Sequence, residues 1–92
     1  MTKVYIVKRS HLIDRELSEW NDGVYASFDR AVMEAIMAVV DDYAEYYPVT
    51  TFDPPQPVPD SHARHRWEVA RVQLSDEEVV GFDIEEWEVQ GD

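Results

Sequence analysis

Ninety-two residues, 45% of them hydrophobic and none of them cysteine, carry twenty acidic side chains against eight lysines and arginines, a formal charge of −12. A chain of this length makes one domain with one core. Without cysteine it has no disulfide framework, no thiolate nucleophile and no Cys-based zinc or iron–sulfur site, and its charge disfavours direct binding to DNA, RNA or an anionic membrane while favouring a basic partner.

The N-terminal run Met1–Arg9 is charged again after four apolar residues, unlike a signal peptide, and no apolar run approaches the length of a membrane span. The expected location is therefore cytoplasmic. Lys3–Arg9 is rich in β-branched and aromatic residues with apolar side chains on both faces, which predicts an inner strand partly covered on each side. Ser10–Asn21 places Ile13, Leu17 and Trp20 near helical spacing and reads as an irregular or one-turn helical excursion. Asp22-Gly23 signals a turn, and Val24–Ser27 a short second strand entering a helix.

That helix is the longest periodic stretch. Phe28, Val32, Ala35, Ile36, Val39, Tyr43 and Tyr46 recur at three- and four-residue steps, so Ser27–Tyr47 predicts one long amphipathic helix with a single apolar face. Ser27 can accept from free amides of the first turn, Asp29 complements the helix dipole, and Pro48 ends the run. Asp41, Asp42 and Glu45 break the local rules. They sit at the negative end of the dipole, at like-charge helical spacings, with no Lys or Arg between Arg30 and Arg64. A rule broken without visible compensation is where function is often found.

The proline-rich segment 48–60 favours extended polyproline geometry and reads as a stiff connector outside any central ladder. A PxxP ligand at Pro54–Pro57 lacks a basic flank. Arg66–Leu74 is the clearest strand, with Trp67 and Val69 to one side and Ala70, Val72 and Leu74 to the other. Ser75–Glu78 forms a solvated turn, and Val79–Val89 the last strand, where Trp87 and Val89 fall out of phase with Phe82 and Ile84. That phase change predicts a bulge near Glu85-Glu86. The assembled expectation is one α+β domain over residues 1–92: an antiparallel four-stranded sheet in β-β-α-β-β order, with one long helix packed on one face.

Asp60, His62 and His65, with His11 reaching over, are ligand types that zinc accepts. Arg64 and Arg66 would repel a cation there, so a small metal-dependent enzyme is only the lesser alternative. No Gly-x-Ser-x-Gly elbow or phosphate-cradling glycine loop occurs. The expectation is a non-enzymatic protein with no catalytic residue, metal or cofactor.

Carboxylates are the best working part. From Val72 to Asp92 there are eight acids and no Lys or Arg. Carboxylates two apart on a strand repeat at roughly 6.5–7 Å, close to the spacing of phosphates along one nucleic-acid strand. Asp76, Glu77, Glu78, Glu85, Glu86 and Glu88 would form one partner-binding set, and Asp41, Asp42 and Glu45 a second. Trp20, Tyr46 and Tyr47 are the candidate buried anchors. The implied partner is a basic protein or ribonucleoprotein complex, with an immunity protein or antitoxin against a basic toxin as the alternative.

Val4–Val7, the strand-to-helix junction Gly23–Ala31 and the closing Phe82–Trp87 resemble segments of small phage and bacterial domains of uncharacterised function. In size, acidity and the single helix on a sheet the chain also resembles phage-encoded anti-defence inhibitors of the anti-CRISPR type. That resemblance implies a stoichiometric inhibitor in the bacterial cytoplasm that occludes a nucleic-acid channel without catalysis. It carries no site residue over to this chain.

Overall fold

A computed structural model describes residues 2–59 and 65–90. Five strands form one antiparallel sheet: β1 (Thr2–Ile13), β2 (Glu16–Tyr25), β3 (Val49–Pro57), β4 (His65–Ser75) and β5 (Glu78–Val89), in spatial order β2-β1-β5-β4-β3. One helix, α1 (Phe28–Val39), continues into a single π-helical turn, Val40–Ala44. The expected four-stranded β-β-α-β-β plan is therefore corrected to five strands in β-β-α-β-β-β order.

Three segments make the difference. Ser10–Asn21 is no helical excursion but the middle of a hairpin, because Asp14 and Arg15 both adopt positive φ, +48° and +72°, the geometry of a two-residue turn matched to strand twist. Asp22-Gly23 is not a turn. It lies inside β2, where the register with β1 slips between Val7 and Lys8 and leaves Asp22 as the extra residue of a bulge. The proline segment joins the sheet after all, since β3 is an edge strand whose register with β4 breaks between Thr51 and Gln56, around Pro54 and Pro55. An edge strand needs ladder bonds on one side only, which is where proline is tolerated.

The helix begins as its sequence requires: the Ser27 hydroxyl accepts from the Arg30 amide at 3.1 Å. Ala31, Ala35 and Val39 face the sheet fully buried, and the two small alanines let the backbone approach closely. Beneath lie Val7, Val69 and Ile84 at one end, and Ala70, Val72, Val80 and Phe82 at the other. Phe28 sits between Tyr5 and Trp67, with ring centroids 5.9 and 4.7 Å away. All these groups occupy one face of the sheet.

The bulge of the C-terminal hairpin belongs to β4, not to Glu85-Glu86. Glu68 pairs with Asp83 and Ala70 with Phe82, so Val69 is an extra residue, a second shift between Gln73 and Ser75 leaves Leu74 as another, and Trp67, Val69, Ala70, Val72 and Leu74 all face or border the helix side rather than dividing between two faces. β5 keeps an unbroken register with β1 from Glu78 to Val89. Trp87 and Val89 are out of phase because they belong to the opposite, helix-free face.

Candidate partner-binding surface

The carboxylates separate into those the fold neutralises and those it leaves open. Arg66 on β4 stands beside Glu85 and gathers three acids on the helix-free face: Nε donates to Asp83 Oδ2 at 2.8 Å, Nη1 to Glu85 Oε2 at 3.0 Å and Nη2 to Glu19 Oε1 at 2.9 Å. Glu85 also takes a bond from the Trp87 indole at 3.1 Å and lies 3.8 Å from Lys8 Nζ. Burial pulls the Arg66 guanidinium down, and its bonds to Glu19 and Asp83 outweigh this and push it well above its ordinary range. Asp83 moves in the costly direction. Burial raises its carboxyl, Arg66 opposes that, and Glu68 and Glu19 add to the rise. The two shifts fit one arrangement, in which one cation is shared among three carboxylates.

Glu86 faces the helix side at the end of the sheet, where it accepts from the Tyr5 hydroxyl at 3.2 Å. Burial and this carboxylate together raise the Tyr5 pKa, which keeps the hydroxyl a donor. Glu85 and Glu86 are each only 6% exposed. Neither offers an open carboxylate to a basic partner in the folded chain, so both leave the first contact set, and with them the ladder of phosphate-like carboxylates on the last strand. Glu88 is half-buried, and Glu78 is half-buried against His11, with Nε2 and Oε1 2.6 Å apart. Asp76 and Glu77 remain exposed at the β4–β5 turn, beside Asp14 across an open hollow of about 450 Å³.

The second set fares differently. Asp41, Asp42 and Glu45 are exposed at the end of the helical segment, in and just beyond the π turn. Asp42 is held by Arg9 at 3.0 Å, whereas Asp41 and Glu45 have no ion-pair partner among the described residues. Arg9 lies 4.7 Å from the Phe82 ring centroid and 5.8 Å from that of Tyr43, and its other nitrogen reaches Asp22 at 2.8 Å. Burial lowers its pKa, but the bonds to Asp22 and Asp42 prevail and raise it. One guanidinium thus pins the end of the helix to the bulge of β2.

Between those elements runs a groove of about 300 Å³ lined by Asp22, Tyr25, Glu34, Met37, Ala38, Asp41 and Asp42. Glu34 is tied to Arg30 at 2.9 Å along the helix. Of the candidate anchors, Tyr46 is 75% exposed, and Trp20 and Tyr47 about two-fifths. Trp20 is the register partner of Arg9 on the helix side of β2, but like Tyr46 and Tyr47 it does not line the groove. The sequence missed Asp22, Glu34 and Tyr25 as members of this wall. The Asp-Gly pair is the one signal for Asp22, and it predicts a turn where the chain has a strand bulge.

His11 and His65 pair with Val80 and Glu86 on β5, six residues and so about 20 Å apart, too far to share a metal. His65 stacks 5.7 Å from Trp67 and lies 3.9 Å from Glu86. Asp60 and His62 lie outside the described residues. No group of three or more His, Cys, Asp or Glu placed to hold a metal occurs among the described residues.

No family model, curated protein or solved structure matches the chain. No helix among the described residues is long and apolar enough to cross a membrane.

Proposed function

We propose that this chain is a non-enzymatic interaction protein that docks its helix-end acidic groove on a Lys/Arg-rich, nucleic-acid-binding surface of a partner and so blocks it. The inhibitor class is that of proteins directed against a bacterial defence complex. One observation carries the reading: Asp41 and Glu45 stand without an ion-pair partner among the described residues, at the negative end of a helix dipole, whereas Asp83 and Glu85 of β5 are paired with Arg66. A π turn at the same place fits, because such turns recur at functional sites. Exposed Tyr46, Tyr47 and Trp20 supply apolar area beside the charge, and rim carboxylates set encounter rate while aromatics supply affinity.

The test is affinity capture from a bacterial lysate with the unaltered chain and with the Asp41→Lys/Glu45→Lys variant, at low and high salt. The reading expects a basic nucleic-acid-binding partner that is released as salt rises and is not retained by the variant. Capture of a basic secreted or toxin-like enzyme would move the assignment to an immunity protein or antitoxin. Capture indifferent to both salt and charge reversal would overturn the acidic-docking reading altogether.

A further inference from the structure

The helix covers one face of the sheet and leaves the other bare. An antiparallel sheet with one wet face ordinarily turns polar residues toward water. This one does not. β1 directs Val4, Ile6 and Leu12 to the helix-free face, and β5 directs Val79, Trp87 and Val89 there, as their register with one another and opposite the buried Val7 and Ile84 requires. Leu12 and Trp87 are 38% exposed, Val89 47%, and Leu17, the β2 neighbour of Leu12, 62%. Among the described residues no element packs over them.

Charge sets this face apart from the rest of the molecule. Its three cations, Lys8, Arg66 and Arg71, stand against the four carboxylates they pair with, an excess of one negative charge in a chain of −12. The ions at the centre of this face are largely shielded already, with side-chain exposure of 16% for Arg66, 17% for Asp83 and 8% for Glu85, whereas Arg71 and Glu19 toward its margins keep 53% and 36%. Covering the Arg66, Asp83 and Glu85 cluster removes little further water, so the penalty for burying those ions is mostly met within the single chain.

We infer that the helix-free face is the interface of a homodimer, in which two copies stack face to face as a two-sheet sandwich with a helix on each outer side. The size fits. Five strands about 4.8 Å apart and roughly 10 residues long present on the order of 700 Å² per copy, against about 800 Å² per partner in an interface of standard size. The charge fits a second copy better than a basic partner, because a nearly neutral, apolar-cornered face offers a polycation little, whereas it meets its own image without local repulsion. This inference is independent of the acidic groove, which lies on the opposite side of the sheet.

Sedimentation equilibrium of the full chain over a concentration series decides it. The expected result is a species of twice the 10.7 kDa chain mass. The dimer should tighten as salt rises, because salt screens the repulsion between two chains of −12 and leaves the apolar contact intact. Leu12→Lys/Leu17→Lys and, separately, Val89→Lys should each weaken dimerisation at least about tenfold with an unchanged far-ultraviolet spectrum. Met33→Lys, on the outer side of the helix, should leave it unaltered. A monomer at every concentration would overturn the inference and leave the face to another partner. So would a dimer loosened by salt, or one broken by Met33→Lys and indifferent to the sheet-face variants.

Discussion

Two groups of carboxylates, similar in the sequence, have opposite physical standing. Asp83, Glu85 and Glu86 on β5 look like the densest acidic run, yet they are buried or half-buried and held by Arg66, Lys8, Trp87 and Tyr5. Asp41, Asp42 and Glu45 at the end of the helical segment are exposed, and of the three only Asp42 has an ion-pair partner among the described residues, Arg9. Acid density along a chain is therefore a poor guide to surface potential. What decides it is which cations the neighbouring strands bring alongside: β5 lies between β1 and β4, which supply Lys8 and Arg66, whereas among the described residues only Arg9 reaches the end of the helical segment.

The largest test of this contrast is Arg66→Ala. Three carboxylates lose their shared cation in a poorly hydrated setting, so we expect a loss of about 3 kcal/mol in urea unfolding. A loss below about 0.5 kcal/mol, the behaviour of an ordinary surface pair, would break the distinction between the two groups. Next in size is Arg9→Ala. It removes the stack on Phe82 and Tyr43 together with the bonds to Asp22 and Asp42, and should cost about 2 kcal/mol. Amide exchange should then accelerate in residues 40–47 while β4 and β5 stay protected.

Asp83→Asn gives the smallest effect, and its sign is informative. The folded carboxyl binds its proton more tightly than the unfolded one, so its contribution favours folding at low pH and is lost as pH rises through the folded-state value. The Asn variant should flatten that part of the stability–pH curve, and at neutral pH it should be no less stable than the unaltered chain. A steeper fall with pH in the variant would contradict the assignment of burial as the dominant cause.

The helix was legible because its apolar positions from Phe28 to Val39 keep one period and Ser27 marks its start, but its end was not: the α-helix stops at Val39, a π turn carries on to Ala44, and Tyr46, counted on the apolar face, is 75% exposed beyond it. The two C-terminal strands were legible from β-branched and aromatic enrichment. The Asp14-Arg15 turn was not, since neither residue is the Gly or Asn that usually marks positive φ. β3 was hidden by its prolines, which exclude a central strand but not an edge. The phase break between Val69 and Ala70 was visible in the sequence, but without a register it could not be told from a strand with two apolar faces. For the candidate surface, the misplaced charges of Asp41, Asp42 and Glu45 stood out from dipole rules alone. The neutralisation of Glu85 could not, because Lys8 and Arg66 reach it only through strand pairing across 77 and 19 residues of chain.

The most direct measurement sets two charge reversals side by side in urea unfolding: Glu85→Lys against Asp41→Lys/Glu45→Lys. The account predicts opposite signs. Lysine at position 85 faces Arg66 and Lys8 in a nearly buried site and should cost 3 kcal/mol or more, on the order of a broken buried pair. Lysines at positions 41 and 45 complement the dipole and relieve like-charge repulsion, and should add a few tenths of a kcal/mol. Equal losses at both places would mean that the helix-end acids serve the fold, and would contradict the claim that they are held in reserve for a partner.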